Sequence, residues 1–406
     1  MNVLINAYAC SPIQGSEPGI GWHWSVELAK FCHVIVITEG ESRREIEAHV
    51  KHLPQKDHLE FVFNDVPEKV RKMCENQGDW RFYYYYRQWQ KKSLEIARQI
   101  CSERPIDVIH HLTMQGFREP GLLWKIQGPK FVWGPIGGME NMPLAYLQGA
   151  SWKQKLFCRL KNGINTLQFR YQPNVRRAFE RADAVVASTF HAYKAIQERY
   201  REDVVMINDT GCEQTKIVEK VSAPSLFEEG FNIMWVAKFD FRKQLEMALK
   251  IIASLNDLDI KLHIVGSGDA ERYQTIASQL GISEKCIWHG QVPHDQVNAY
   301  MQQADLFLFT SIMEATSTVI MEAIQNQLPI VCFDTCGFGT VVNEKIGIKI
   351  PLTNPEQSVQ DFGHAIRSLY DDRDRLKELS ANCVDACQHF SWERKAIQMV
   401  DIYSRL

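Results

Sequence analysis

Two doubly wound α/β domains are what this sequence predicts, on three observations. Short apolar runs alternate with helical patterns along almost the whole chain. The alternation breaks near residues 208–230 and then restarts. The 406 residues exceed what one hydrophobic core usually holds.

Each element follows from its local text. VLINAY (3–8), VIVIT (34–38), LEFVF (59–63), DVIHHL (107–112), KFVWG (130–134) and AVVAS (184–188) read as buried parallel strands. Amphipathic helices separate them, for example 17–31 and the long 80–101. The break carries the acidic, Pro/Ser-containing VSAPSLFEEG. The pattern then resumes with IMWVAKF, a helix at 243–255, KLHIVG, a helix at 269–280, CIWHG, a helix at 294–303, LFLFT, a helix at 317–326 and PIVCF. Ser391 is a good N-cap for a last helix, expected to pack back across the domain junction. The expected domains are therefore 1–210 and 211–388, with 389–406 as a C-terminal helix.

Composition narrows the function. Apolar residues make up 45% and charged residues 23%, ordinary for a soluble globular protein. A net charge of −3 excludes a globally basic nucleic-acid binder. Met1 leads directly into strand-like text, and no apolar run reaches the length of a membrane span, so a cytoplasmic protein is expected. Eleven scattered cysteines suit a reducing compartment. The pairs Cys332/Cys336 and Cys383/Cys387 lack zinc spacing and histidine partners, so no metal is expected there.

In open parallel sheets, ligands bind beyond the carboxyl ends of the strands. After the first strand, SPIQGSEPGIGW puts Gly15, Gly19 and Gly21 around a helix start, with Ser16 as cap and Pro18 in the first turn. This turn suits a phosphate or a closely approaching sugar, or is simply a tight strand-to-helix turn. Its spacing is not the dinucleotide fingerprint, which removes an NAD oxidoreductase. In KFDFRKQ, Lys238 closes a strand and Lys243 opens a helix; two cations there can hold a diphosphate. VGSGD places Gly266 and Gly268 after the next strand. MEATSTVIMEA holds Glu314 in a loop and Glu322 about one turn into a helix that Ser317 or Thr318 can cap. Val319, Ile320, Ala323 and Ile324 share that helix's apolar face, and Glu322 points away from its centre. Glu322 is thus an exposed helix residue or half of a carboxylate clamp for vicinal hydroxyls.

E-x7-E followed by LPIV, with ADLFLFTS (304–311) and QNQLPIVCFDTCG (325–337), resembles the retaining glycosyltransferases of family 4. Lys238 and Lys243 resemble that family's R-x4-K pair, with Lys in place of Arg; RADAVVAS and INDTGCE resemble its interdomain approach. The resemblance covers nearly the whole chain and implies the GT-B fold, two Rossmann-like domains facing a central cleft. It also implies hexosyltransferase-type transfer (EC 2.4) from a UDP- or GDP-linked sugar, with retention, to a glycan or lipid-linked glycan, in surface polysaccharide or glycoconjugate biosynthesis. Under it, Glu322 holds the ribose and Glu314 the donor sugar. Amides around Thr316, Ser317 and Thr318 help at the sugar or diphosphate. Lys238 and Lys243 neutralise the diphosphate, with Gly15 and Gly266 lining the donor site. His110, ranked ahead of His111, contacts the sugar, and either is otherwise a satisfied core histidine. His111, Glu140 and Asn141 are candidates on the acceptor side. No cofactor and no metal are implied. The Ala315-Thr316-Ser317 text departs from the family's usual G-F-G and leaves the donor open.

Two further stretches bear on the acceptor. GDWRFYYYYRQWQKK (78–92) holds four consecutive tyrosines, which cannot all face one core. Residues 151–181 hold eight Lys/Arg and one acid, Glu180, interleaved with Trp152, Leu156, Phe157 and Leu160. That text reads either as a solvated basic face or as an interfacial segment meeting anionic lipid, hence peripheral membrane contact. Competing functions are a nucleotide-sugar epimerase on the same fold and a non-catalytic nucleotide-sugar-binding protein. The D-x-D at Asp257 to Asp259 falls at the wrong end of its strand for a metal-dependent site.

Overall fold

The structure is a computed structural model that describes residues 1–75, 80–148, 151–213, 227 and 229–406. Most of the acidic, Pro/Ser-containing break, and Gly78 and Asp79 ahead of the tyrosines, lie outside the described residues. The chain forms two units. One comprises Met1–Met139, Ile164–Asp209 and Trp392–Leu406; the other comprises Glu140–Gly163 and Thr210–Ser391.

The first unit has a seven-stranded parallel sheet of β1 (Asn2–Asn6), β2 (His33–Thr38), β3 (Leu59–Phe63), β4 (Val108–His111), β5 (Lys130–Ile136), β6 (Ala184–Ala187) and β7 (Val204–Met206). Its order is β3-β2-β1-β4-β5-β6-β7, so the switch point falls between β1 and β4. Alternate residues of β1 feed opposite layers. Val3 and Ile5 join a core with Trp24 and Met399, whereas Leu4 joins one with Trp89 and Phe131. Helices α1 (Ser16–Leu28) and α2 (Arg43–Val50) cover the first of these faces. On the other lie α3 (Glu68–Glu75) and α4 (Arg81–Glu103). Of the aromatic run on α4, Phe82, Tyr86 and Trp89 are buried, while Tyr83 and Tyr84 are exposed. The run therefore splits between core and surface, as its spacing requires.

Helix α5 (Trp152–Tyr171) follows, then α6 (Pro173–Arg181) and α7 (Phe190–Arg199). The second sheet is formed by β8 (Phe231–Val236), β9 (Ile260–Val265), β10 (Cys286–Gly290), β11 (Leu306–Phe309), β12 (Ile330–Phe333) and β13 (Gly347–Ile350). All its pairs are parallel, in the order β10-β9-β8-β11-β12-β13, with the switch point between β8 and β11. Its helices are α8 (Leu245–Ser254), α9 (Ala270–Gln279), α10 (His294–Gln303), α11 (Thr318–Gln325), α12 (Cys336–Val341), α13 (Pro355–Asp371) and α14 (Arg373–His389).

The last helix, α15 (Trp392–Ser404), belongs to the first unit. Trp392 stacks on His23 of α1 at 5.0 Å between ring centroids, and Lys395 donates to the Asn208 carbonyl at 3.1 Å. The edge strands β7 and β13 are not among the sequence expectations. Both are short, and each runs partly exposed along a sheet edge, so neither carries a full apolar run.

Candidate functional site

Two loops leave the switch point of the second sheet. The loop after β8 runs from Ala237 to Gln244, and the loop after β11 from Thr310 to Ser317. Hydrogen bonds stitch them together. Ile312 N donates to the Arg242 carbonyl at 2.9 Å. Thr310 Oγ1 donates to the Lys243 carbonyl at 2.7 Å and accepts from Trp235 Nε1 at 3.0 Å.

That stitching delivers Lys243 against Glu314. Lys243 Nζ forms an ion pair with Glu314 Oε1, and Ser311 Oγ donates to the same oxygen at 2.8 Å. The two side chains are only 18% and 13% exposed, so the pair is largely desolvated. Burial lowers the Lys243 pKa to about 8; the Arg242 charge adds to this, Asp240 opposes it, and Lys238 adds again. The Glu314 carboxylate in contact with it compensates the buried ammonium. Lys238 is exposed just beyond β8. Arg242, which the sequence reading passed over, is held by Asp240 through contacts of 3.1 and 3.0 Å. Three cations and two carboxylates thus meet at one strand end.

Helix α11 begins at the same place. Ser317 occupies the N-cap position with φ 71° and no side-chain cap, which corrects the expectation of a Ser or Thr cap. A non-glycine residue in this region is held there by its surroundings. Thr316 is fully buried, and its hydroxyl has no hydrogen-bond partner among the described residues, a cost of about 1–3 kcal/mol. Gly337 presses against it: a Cβ there would lie 2.3 Å from Thr316 Oγ1. Gly337 N donates to the Ala315 carbonyl at 3.0 Å, and Glu314 N donates to Cys336 Sγ at 3.4 Å. Burial, with help from the nearby Glu140 carboxylate, pushes the Cys336 thiol up to about 12, so it is a packing group, not a thiolate. Glu140 and Asn141, expected on the acceptor side of the first domain, fall in the second unit. Glu322 is one turn into α11, 20% exposed, with Oε1 3.3 Å from His294 Nε2. It is therefore neither a core residue nor a freely solvated one.

Gly266 has a structural reason. Its φ is 149°, and a Cβ would lie 1.8 Å from the Ala237 carbonyl oxygen. The end of β8 fills the space a Cβ would take, so packing alone requires a glycine at this position. Asp257 is occupied by Arg367 through two contacts of 2.8 and 2.7 Å, at the end of the sheet away from the site.

In the first unit, Gly15 is the N-cap of α1 and Ser16 its first residue, so Ser16 is not the cap. A Cβ on Gly15 would meet nothing within 4 Å. Glu17, absent from the sequence expectations, accepts hydrogen bonds from Met114 N at 2.5 Å and Gln115 N at 3.1 Å. It thereby ties the turn after β1 to the loop after β4. Burial raises its carboxyl pKa while the two amides hold it down. A carboxylate in the first turn of a helix that follows a Gly-rich loop was the available signal.

His110 is fully buried with both ring nitrogens engaged, Nε2 at 2.6 Å from the Gly134 carbonyl and Nδ1 at 2.5 Å from the Tyr403 hydroxyl. Burial lowers its pKa to about 4. His110 is therefore the satisfied core histidine, and its ranking as the sugar contact is corrected. His111 faces the opposite layer, where its Nδ1 meets Asn6 Nδ2 at 3.1 Å, and its pKa is also near 4, through burial and then the His110 charge.

The two parallel sheets, their switch points and the site at the end of β8 and β11 define a GT-B protein built from two Rossmann-like units. Solved structures share this architecture. A glycosyltransferase from Rickettsia africae aligns with a TM-score of 0.67 at 16% identity, over 100% of this chain and 98% of that one. The Anabaena protein HepE, solved in complex with UDP, aligns at 0.65 and 14% identity over the full length of both. Residues 218–385 match the family model described as glycosyl transferases group 1. A D-inositol 3-phosphate glycosyltransferase from Corynebacterium aurimucosum is 24% identical over 269 residues, 60% of this chain and 63% of that protein. The chain spans between about half and two thirds of the lengths of the first curated relatives it matches, 63% and 52%.

Proposed function

We propose that the protein is a glycosyltransferase that moves a sugar from a UDP- or GDP-linked donor to a glycan or lipid-linked glycan, with retention of anomeric configuration. The observation that carries this reading is the Lys243–Glu314 pair at the carboxyl ends of β8 and β11, beside Lys238 and the start of α11. A departing nucleoside diphosphate needs charge stabilisation more than a protein proton donor, and cations beside a helix N-terminus supply it. The family match and the UDP bound by HepE support a nucleotide-sugar donor.

In this reading Lys243 exchanges part of its contact with Glu314 for the diphosphate, and the freed carboxylate accepts sugar hydroxyls. Glu322 accepts the two ribose hydroxyls. Thr316 and the amides of Ser317 and Thr318 face the sugar or diphosphate. The open space beside Gly15 supports a close-approaching ligand at that turn. The bond from the anomeric carbon to the diphosphate breaks, the acceptor oxygen bonds to that carbon on the same face, and the acceptor proton leaves with the diphosphate. No metal step is required. Surface polysaccharide or glycoconjugate synthesis is the proposed setting, with residues 151–181 giving peripheral contact with an anionic membrane.

The test is calorimetry with UDP, GDP, ADP and their sugars, on wild type and Glu322→Ala. Binding of one nucleotide, weakened in the variant, is expected; no binding to any of them overturns the reading. NMR of the product tests retention, and an inverted anomer overturns that part alone.

A further inference from the structure

Among the described residues, one side of helix α5 is exposed along its length. Its 20 residues rise about 30 Å. Trp152, Leu156, Leu160, Ile164, Leu167 and Tyr171 recur at spacings of three and four, which places them in one row. Their exposures run from 48% to 70%, and Phe157 beside the row is exposed as well. Isolated exposed apolar residues are ordinary, but a continuous row of six is not.

The opposite side is fastened, so the row's direction is set by bonds. Asn162 donates to the Met142 carbonyl at 2.9 Å and accepts from Met142 N at 3.0 Å. Asn165 is buried; it donates to the Met139 carbonyl at 3.4 Å and accepts from the Arg118 guanidinium. Phe169 packs edge-on to Phe117 at 5.2 Å. The charge is one-signed: α5 carries Lys153, Lys155, Arg159, Lys161 and Arg170 and no acid. Helix α6 differs. It buries Val175, Ala178 and Phe179, and its Arg176 pairs with Glu180 at 2.6 Å.

We propose that α5 alone is an in-plane anchor for an anionic bilayer. Its apolar row enters the headgroup–acyl boundary, and its flanking cations meet lipid phosphates. This narrows, and rests on, the peripheral-membrane reading of residues 151–181. A second copy of this chain is a poor occupant, because pairing this face with itself sets five cations against five with no acid between them.

The experiment is vesicle sedimentation of the full chain, with phosphatidylcholine alone and mixed with phosphatidylglycerol. Wild type is expected to bind the anionic vesicles and to be released by salt. Lys153→Gln/Lys155→Gln/Arg159→Gln is expected to lower partitioning about a hundredfold. Leu156→Ser/Leu160→Ser/Ile164→Ser is expected to abolish what salt does not release. Arg176→Glu/Arg177→Glu in α6 is expected to bind as wild type. Circular dichroism should match wild type throughout, since every changed side chain is exposed, and the melting temperature should shift only slightly, in the α6 variant, through loss of the exposed Arg176–Glu180 pair. If the α6 variant loses binding while the α5 variants keep it, the membrane reading survives and the α5 anchor is overturned. No binding by wild type overturns both. A wild-type dimer that the apolar-row variant dissociates assigns the face to a second copy and also overturns the anchor.

Discussion

His110→Gln tests whether this histidine belongs to the core or to the chemistry. The folded protein holds His110 at about 4 against an ordinary value of 6.5, chiefly by burial. Between those two values the unfolded chain binds a proton that the folded ring refuses. Lowering the pH through 6.5 therefore draws the protein toward unfolding, and the loss is complete below about pH 4. The gap, at about 1.4 kcal/mol per pH unit, is worth about 3 kcal/mol. His111 adds a similar loss in the same window, chiefly by burial, and a charged His110 adds to it by repulsion. Glutamine does not titrate and can still donate to the Gly134 carbonyl. The variant should therefore lose stability at pH 7.5 by about 1 kcal/mol, from the weakened Tyr403 contact, and become less acid-sensitive than wild type. His263 in the second unit is lowered in the same way, so the assay must be local. Hydrogen exchange of the β4 peptide between pH 4.5 and pH 7.5, corrected for intrinsic rates, reads it. Identical pH dependence in wild type and variant, or an imidazole NMR titration of His110 near 6.5, would refute the reasoning. Unchanged β4 protection with abolished sugar transfer would return His110 to the donor site.

Other predictions follow from the same geometry. Glu322→Ala should weaken nucleotide binding roughly tenfold to a hundredfold by calorimetry, the loss of hydrogen bonds to a charged acceptor, while leaving the melting temperature within a degree or two. Lys243→Met strands a largely buried carboxylate and should cost about 3 kcal/mol in denaturant unfolding, whereas Lys243→Met/Glu314→Leu should recover much of it; additive losses would argue against direct coupling. Gly266→Ala, at a positive φ and against the Ala237 carbonyl, should destabilise by about 2–4 kcal/mol or prevent folding. Gly15→Ala should leave stability unchanged, since its Cβ enters open space, and a lowered donor affinity in that variant would locate the ligand beside it.

The alternation of strands and helices was legible because a strand buried on both faces leaves a continuous apolar run, and the helices between such runs leave a 3.6-residue period. Strand ends were legible too, and with them the places where Lys238, Lys243, Glu314 and Glu322 had to emerge. Their local text fixes position along the chain. It does not fix what a side chain meets. That Lys243 closes on Glu314 depends on Thr310 and Ile312 catching the carbonyls of a loop about 70 residues away. His110 and His111 are adjacent and identical in sequence terms, yet the pleat sends them to opposite layers, and only Tyr403 from the C-terminal helix makes His110 a satisfied core residue. A glycine after a strand is compatible with any close approach, and only packing shows that Ala237 is what crowds Gly266. The sequence by itself determined the alternation, the two sheets and the ends of their strands, because burial on both faces writes itself into consecutive residues. Tertiary structure alone decided the ion pair, the core histidine and the bare side of α5, because each depends on partners that distant parts of the chain supply or withhold.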